Sequence, residues 1–530
     1  MIEENKTARF NLAYFAILSL LLCRCGKDEQ NRASLPAKEE RTQFATPELK
    51  APEKLKSPEI KTVLKDGITQ QDLFDMIRKG VVSVSVKAHA VLERSYWCGK
   101  SWTGTGFLVD LEKGLIITNA HVAGAMKAAC SFEVKFGNGV ATEAKIEYID
   151  PCYDIAVLSV DPKDIPSQCI ALEMSDEEPQ INTNVFSMGN TSGNEFSTYP
   201  GTIFDTCSTL WLRPFPEQSF QFSGITSGGA SGSPVFLSNG KVIGLIYGGK
   251  FVSGAALPIK YVKPVVEALQ KGETITRCFC GFLLTYMSTQ HAIKAGSISD
   301  DFAKTYNEQF PEANSKILCV KKKMSAFEEP VELEGVQPGD ILVSVEGTQI
   351  GPHLSLLDVC IQKHSTQKLK ANVYRNGVLT SVYIYPKALS RFDDVKILSF
   401  AGVSFFETTD EMKALNGEKK KHIFAIAAES GSSFHDVIHP EEAQEWYGGI
   451  TQISKVDGKE ISGLDEFFAM MPALLKKKHF LVTYTRLKTD GKESIAFIQQ
   501  EPEFAEAALY TFDSSSHSWK VKSLNNRHSS

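Results

Sequence analysis

The sequence predicts a mainly β fold for its first large globular region. Three observations carry that prediction. From about residue 70 the chain breaks into short runs of β-branched and aromatic residues, turn-forming Gly, Asn, Asp and Pro punctuate the runs, and no alternating series of helices interrupts them. Val81-Val82-Ser83-Val84-Ser85-Val86 alternates apolar and polar, the period-two texture of a strand. Similar runs follow at Gly106–Asp110, Leu115–Thr118, Ala141–Ile149, Ile155–Val160, Gln180–Met188, Ser219–Phe222, Pro234–Leu237 and Lys241–Ile246. Many short strands joined by glycine-rich turns predict a closed barrel or a sandwich. A short helix is expected at Leu73–Arg78, and another at Pro258–Leu269 closes the region.

The rest of the chain is read around that region. A length of 530 residues predicts two to four domains. A net charge of -6 argues against a nucleic-acid binder working from a basic face. The eleven cysteines include no Cys-x-x-Cys pair, and Cys278-x-Cys280 is poor metal spacing, so neither a metal nor another cofactor is expected. Cys98 and Cys130 bracket the strand at 115–118, which makes a disulfide between them an expectation. Residues 1–25 carry an apolar run, Phe10 to Cys23, behind Lys6 and Arg9; this is signal-peptide length and short for a membrane span. Its end, Leu-Leu-Leu-Cys-Arg-Cys, resembles a bacterial lipoprotein processing site with Cys23 or Cys25 as the lipidated residue. The expected address is therefore outside the cytoplasm, in a bacterial cell envelope: periplasmic, or attached to a membrane through an N-terminal lipid. Residues 26–70 are rich in Lys, Glu, Gln and Pro and read as a flexible linker.

Residues 71–272 form the first domain on this reading. Two further segments follow, 273–388 and 389–503. Each has a glycine near its start, in Phe279-Cys280-Gly281-Phe282 and Phe400-Ala401-Gly402-Val403, and each has a late strand–turn–strand run, Gly339–Gly347 and Ile450–Gly458. The parallel order predicts two copies of one module. Residues 504–530 are Ser-rich and are expected to be a largely disordered tail.

Three short motifs in the first domain carry chemistry: Ile116-Ile117-Thr118-Asn119-Ala120-His121-Val122, Tyr153-Asp154-Ile155-Ala156-Val157-Leu158 and Gly228-Gly229-Ala230-Ser231-Gly232-Ser233-Pro234. Taken singly, each key residue is more often a turn, cap or loop residue. Together they supply a hydroxyl nucleophile (Ser231), a base to take its proton (His121) and a carboxylate to fix the histidine tautomer (Asp154). Glycine beside the serine lets the Gly229 and Ser231 backbone N–H groups converge on an oxyanion. The order His, Asp, Ser is that of a chymotrypsin-like double barrel; an α/β-hydrolase would place its acid and histidine after the serine.

At these residues the sequence resembles the HtrA/Deg family of serine proteases, whose motifs are T-N-x-H-V, D-[IL]-A-V-L and G-N-S-G-G. The likeness extends through Gly104-Thr105-Gly106-Phe107, Met188-Gly189-Asn190, Gly244-Leu245-Ile246 and Ala256-Leu257-Pro258-Ile259. The later segments resemble PDZ domains, through Gly339-Asp340-Ile341-Leu342 in the first; the second is more divergent. The resemblance implies an ATP-independent endopeptidase, trimeric or larger, acting on misfolded or exported proteins. Its two α+β PDZ-like domains would regulate it or bind peptide ends, with Gly281, Phe282, Gly402 and Val403 as candidate contacts. A chaperone-like peptide binder with a weak or silent protease is the alternative. Two positions depart from the family: Ala230 where Asn is usual, and Ser233 where the second Gly is usual. Ile225, six residues before the serine, replaces the acid of trypsin-like enzymes and predicts a pocket for aliphatic or small side chains.

Overall fold

The computed structural model describes residues 69–91, 101–124, 128–150, 153–210, 217–250, 252–323, 335–364, 367–388, 395–408, 422–428, 431–434, 437, 451–486, 492–501, 506–513, 516 and 518–525. The expected leader, with Cys23 and Cys25, and the expected linker up to residue 68 fall outside these residues, as does Cys98 and with it the expected pairing to Cys130; the last two linker residues, Thr69 and Gln70, begin a helix.

The chain enters through helix α1 (Gln70–Arg78), whose first turn is closed reciprocally by Thr69 and Asp72. Leu73 and Ile77, one turn apart, are its buried face. Six strands then form a closed barrel in the order β1-β2-β3-β6-β5-β4: β1 (Val81–Val91), β2 (Ser101–Asp110), β3 (Leu115–Thr118), β4 (Ala128–Phe136), β5 (Ala141–Ile149) and β6 (Ala156–Ser159). A second closed barrel follows in the order β10-β11-β12-β9-β8-β7: β7 (Asn184–Thr191), β8 (Asn194–Leu210), β9 (Glu217–Ser223), β10 (Pro234–Phe236), β11 (Val242–Lys250) and β12 (Ser253–Pro258). Helix α2 (Lys263–Lys271) closes the unit. This is the double barrel that the order of the motifs predicts.

Strand alternation explains how the barrels pack. In β3, Ile116 faces the first barrel's core while Leu115 and Ile117 join the cluster containing Phe236, Val242 and Leu245 of the second barrel. Leu158 and Val157 divide in the same way in β6. Both strands are buried on two faces, so they read as unbroken apolar runs rather than as alternation.

The second module contains β13 (Cys278–Phe279), β14 (Phe282–Ser288), α3 (Thr289–Lys294), α4 (Asp300–Gln309), β15 (Lys316–Lys323), β16 (Ile341–Val345), β17 (Thr348–Gln349), α5 (Leu354–His364), β18 (Leu369–Arg375), β19 (Val378–Ile384) and β20 (Lys387–Ala388). Its main sheet runs β14-β15-β16-β18-β19, with β17 on β16 and a separate β13–β20 pair. The third module contains β21 (Lys396–Phe400), β22 (Val403–Glu407), β23 (Ile423–Ala428), β24 (Thr451–Val456), β25 (Lys459–Glu460), α6 (Leu464–Leu474), β26 (His479–Arg486) and β27 (Glu493–Gln499). Its strands β22-β23-β24-β26-β27 repeat the strand order of the second module, but the sheet continues past β22 into β21 and two further strands.

Those two strands correct the expectation of a disordered tail. β28 (Glu506–Asp513) and β29 (Ser518–Asn525) form a hairpin, and β28 pairs with β21 from Lys396↔Thr511 to Phe400↔Ala507. Ala507 and Leu509 face the third module's core, while Phe512 packs with first-barrel residues. A Ser-rich stretch between the strands hides this alternation in the sequence.

Candidate active site

Strand pairing brings the histidine and the aspartate together. β3 and β6 are antiparallel with Thr118 opposite Ala156, so His121, three residues after β3 reaches Thr118, and Asp154, two residues before β6 begins, emerge at the same end. Asp154 is 1% exposed, and both its oxygens serve His121. Oδ1 accepts the His121 backbone N–H at 2.9 Å, and Oδ2 lies 2.5 Å from Nδ1. Asn119 Nδ2 donates to the Asp154 carbonyl at 2.9 Å and anchors its backbone. An ionised carboxylate only accepts, so this geometry puts the ring proton on Nδ1 and leaves the Nε2 lone pair for a second partner.

Ser231 lies between β9 and β10 in the second barrel, in a turn whose peptide units are held one by one. Gly228 O accepts from Ser192 N–H at 3.0 Å, and Ala230 O accepts from Ser233 N–H at 3.0 Å. In a trans peptide the N–H points opposite to the C=O. The Gly229 and Ser231 amides therefore point away from those anchors, and among the described residues neither has an acceptor. Gly229 has φ +94°, and a Cβ there would sit 1.9 Å from Asn190 O, so only glycine fits. The Ala230 methyl, 3% exposed, packs in the second barrel's core with Val185, Ile203 and Phe220, which accounts for an apolar residue before the serine.

The other expected contacts fare differently. Ile225 is 53% exposed, whereas its neighbour Thr226 is buried and donates Oγ1 to Ser253 O at 3.1 Å. Gly281 (φ +82°) turns the chain from β13 into β14. Phe282, 3% exposed, lines a cavity with Leu354, Leu357 and Ile361 of α5 and with Tyr153 of the first barrel. β14 is the end strand of its sheet. Gly402 (φ +73°) makes the corresponding turn, but β22 pairs on one side with β21 and on the other with β23. The expectation that a peptide strand adds at Gly402 and Val403 is thereby corrected, because β22 has no open edge. Burial raises the thiol of Cys280 to about 12 and that of Cys207 to about 11, so neither is a nucleophilic thiolate near neutral pH.

Several residues that position the site carry no catalytic signal in the sequence. Asn119, Thr105 and Asn190 sit within the motifs quoted above, but their partners lie in distant segments. Arg277, just before β13, is another: its Nε meets Asp150 Oδ2 at 2.5 Å, its Nη1 meets Asp358 Oδ2 at 3.3 Å, and its guanidinium lies 5.1 Å from the Tyr153 ring centroid. Asp150 Oδ1 in turn accepts the N–H of Tyr153, the neighbour of Asp154. Burial raises the Asp358 carboxyl above its usual range against the opposing pull of Arg277.

Two closed barrels with His121 and Asp154 on one and Ser231 on the other define the class, a chymotrypsin-like serine peptidase fold. The trypsin-like peptidase domain family matches residues 104–245. The chain is 26% identical over 454 residues to the pro-apoptotic serine protease NMA111 of Meyerozyma guilliermondii, covering 84% of this chain and 44% of that protein. It is 25% identical over 455 residues to the protein of that name from Yarrowia lipolytica, with 83% and 44% covered. The chain thus spans less than half the length of these curated relatives. Among solved structures, the HtrA-type protease AlgW with tripeptide is 20% identical, with a TM-score of 0.44, and covers 60% of this chain and 96% of its own. The chain is thus similar to serine proteases, with a trypsin-like peptidase domain at 104–245.

The relatives also correct the expected address. These curated matches are fungal proteases and not bacterial envelope proteins, which overturns the assignment to a bacterial envelope. Among the described residues no helix is long and apolar enough to cross a membrane. A short apolar run beside a cysteine is a compositional signal that many segments satisfy, so it could not fix a compartment.

Proposed function

We propose that the chain is an ATP-independent serine endopeptidase in which Ser231, His121 and Asp154 form the triad and the Gly229 and Ser231 amides bind the oxyanion. The observation that carries this reading is the double engagement of His121 by Asp154, which presents Nε2 as a base. Nε2 takes the Ser231 proton as Oγ attacks the scissile carbonyl carbon. The imidazolium returns that proton to the leaving amine as the C–N bond breaks, giving an acyl-enzyme ester. Water then attacks the ester by the same proton path, releasing the acid and restoring Ser231.

Residues 71–272 are the protease domain on this reading, and 273–388 and 389–503 are PDZ-like domains, the latter extended by the hairpin at 506–525. Substrates are misfolded or otherwise unstructured polypeptides. The position of β14 at the end of its sheet supports capture of a peptide end at Gly281 and Phe282, whereas β22 of the third module is paired on both sides. Family resemblance supports a homotrimer or larger assembly. An apolar Ile225 six residues before Ser231 supports cleavage after aliphatic or small residues.

The test is digestion of unfolded casein without ATP by the protein and by Ser231→Ala. Wild type is expected to cleave, at sites following aliphatic or small residues, and the variant to leave casein intact. Equal degradation by both would sink the assignment, as would suppression of casein aggregation with no cleavage by either.

A further inference from the structure

Thr105, on β2 of the first barrel, is 0% exposed and every polar group it has is engaged around Ser231. Its backbone N–H donates to Ser231 O at 2.8 Å, and its carbonyl accepts from Thr118 Oγ1 at 2.7 Å, on the strand that leads to His121. Its hydroxyl accepts the Asn190 N–H at 2.9 Å and donates to Gly229 O at 2.8 Å. A hydroxyl has one proton, and an accepted N–H cannot share it, so the donor direction is fixed toward Gly229. That bond orients the Gly229–Ala230 peptide, whose N–H then reaches Ser227 O at 3.0 Å. This is the peptide that sets the angle between the two amides assigned above to the oxyanion. Asn190 belongs to β7 of the second barrel and donates Nδ2 to Gly104 O at 2.8 Å, so the same junction ties the nucleophile turn to the barrel that carries the histidine.

We propose that Thr105 is a positioning residue for the reaction, its hydroxyl holding the Gly229 and Ser231 amides in register with His121. The inference rests on the protease reading above. Replacing the hydroxyl by a methyl in Thr105→Val keeps the shape but leaves Asn190 N–H and Gly229 O buried without a partner. The amide pair then loses its fixed angle. Because oxyanion donors act in the transition state, the loss falls on kcat rather than on KM.

The experiment compares wild type, Thr105→Val and Thr105→Ser on a peptide substrate, with Ser231→Ala as the inactive reference and thermal melting as the folding check. Thr105→Val is expected to lower kcat by about tenfold to a hundredfold with KM changed by less than about threefold. Inhibition by a peptidyl aldehyde, whose hemiacetal oxygen occupies the oxyanion position, is expected to weaken in parallel. Thr105→Ser, which keeps the hydroxyl, is expected to recover both. Should Thr105→Val fail to fold, Thr105→Cys, with a weak donor of similar size, is expected to fall between wild type and an inactive protein in kcat alone. A wild-type kcat in the valine variant, or a serine variant as impaired as the valine one, would overturn the role of Thr105 while leaving the protease reading intact. A wild-type protein that neither cleaves nor reacts with a fluorophosphonate overturns that reading and this inference with it.

Discussion

Asp154 holds His121 through two bonds, and they do different things. The backbone N–H bond at 2.9 Å sets where the histidine sits; the ring contact at 2.5 Å sets which nitrogen is protonated. Asp154→Asn should keep the first and corrupt the second, because an amide NH2 facing Nδ1 favours the tautomer with its proton on Nε2. The expected result is a folded protein with kcat lower by about 10⁴-fold at neutral pH, read by steady-state assay beside a thermal melt. Retention of more than about a tenth of the activity would refute the assigned role. The turn around Ser231 shows the same division of labour. Gly229 was legible as a turn glycine from its neighbours alone, whereas the need for glycine is imposed by Asn190 O, from another strand.

At the scale of elements, the deciding features are strand edges. The second and third modules share a strand order, yet β14 ends its sheet while β22 is enclosed by β21 and β23. The hairpin β28–β29 completes this closure by pairing on β21 and by setting Phe512 against Trp519, ring centroids 5.5 Å apart, beside the first barrel. Truncation after residue 505 would strip β21 of its partner and expose Ile397 and Leu398, both fully buried in the intact protein. An unpaired, apolar strand edge invites association and local opening. The truncated chain is expected to melt at a lower temperature and to be nicked within 395–500 by limited proteolysis. An unchanged melt and digestion pattern would show that the hairpin is dispensable.

On the scale of the whole molecule, Arg277 ties the second module to the loop before β6. Its side chain is 6% exposed and shared between Asp150 of the first barrel and Asp358 of α5. Removing one member of a buried ionic group leaves the other charges unpaired, which costs about 3–5 kcal/mol. Arg277→Ala is therefore expected to lower the urea midpoint of unfolding by a corresponding amount. It should also reduce activity, because Asp150 orders the backbone that carries Tyr153 and Asp154. A variant with wild-type midpoint and activity would remove Arg277 from this account. The second module also meets the second barrel through Lys316 with Asp205, at 2.6 Å, through Thr206 Oγ1 donating to Glu312 O, at 3.2 Å, and through Ser355 N–H with Gln218, at 3.3 Å.

The sequence by itself determined the β texture of the first domain, the order of His121, Asp154 and Ser231, and the glycines flanking the serine. Each of these is written in residues adjacent along the chain, where alternation and turn chemistry act. Only the tertiary structure decided that Thr105 and Asn190 hydrogen-bond to the turn around Ser231, that Arg277 pairs with Asp150 before Asp154, that β22 has no edge for a peptide, and that residues 506–513 and 518–525 are strands. Those outcomes depend on partners far apart in sequence: 124 residues separate Thr105 from Gly229, and 127 separate Asp150 from Arg277. A local pattern reports which face a residue prefers to bury, and it carries no record of which distant donor or strand will meet it there.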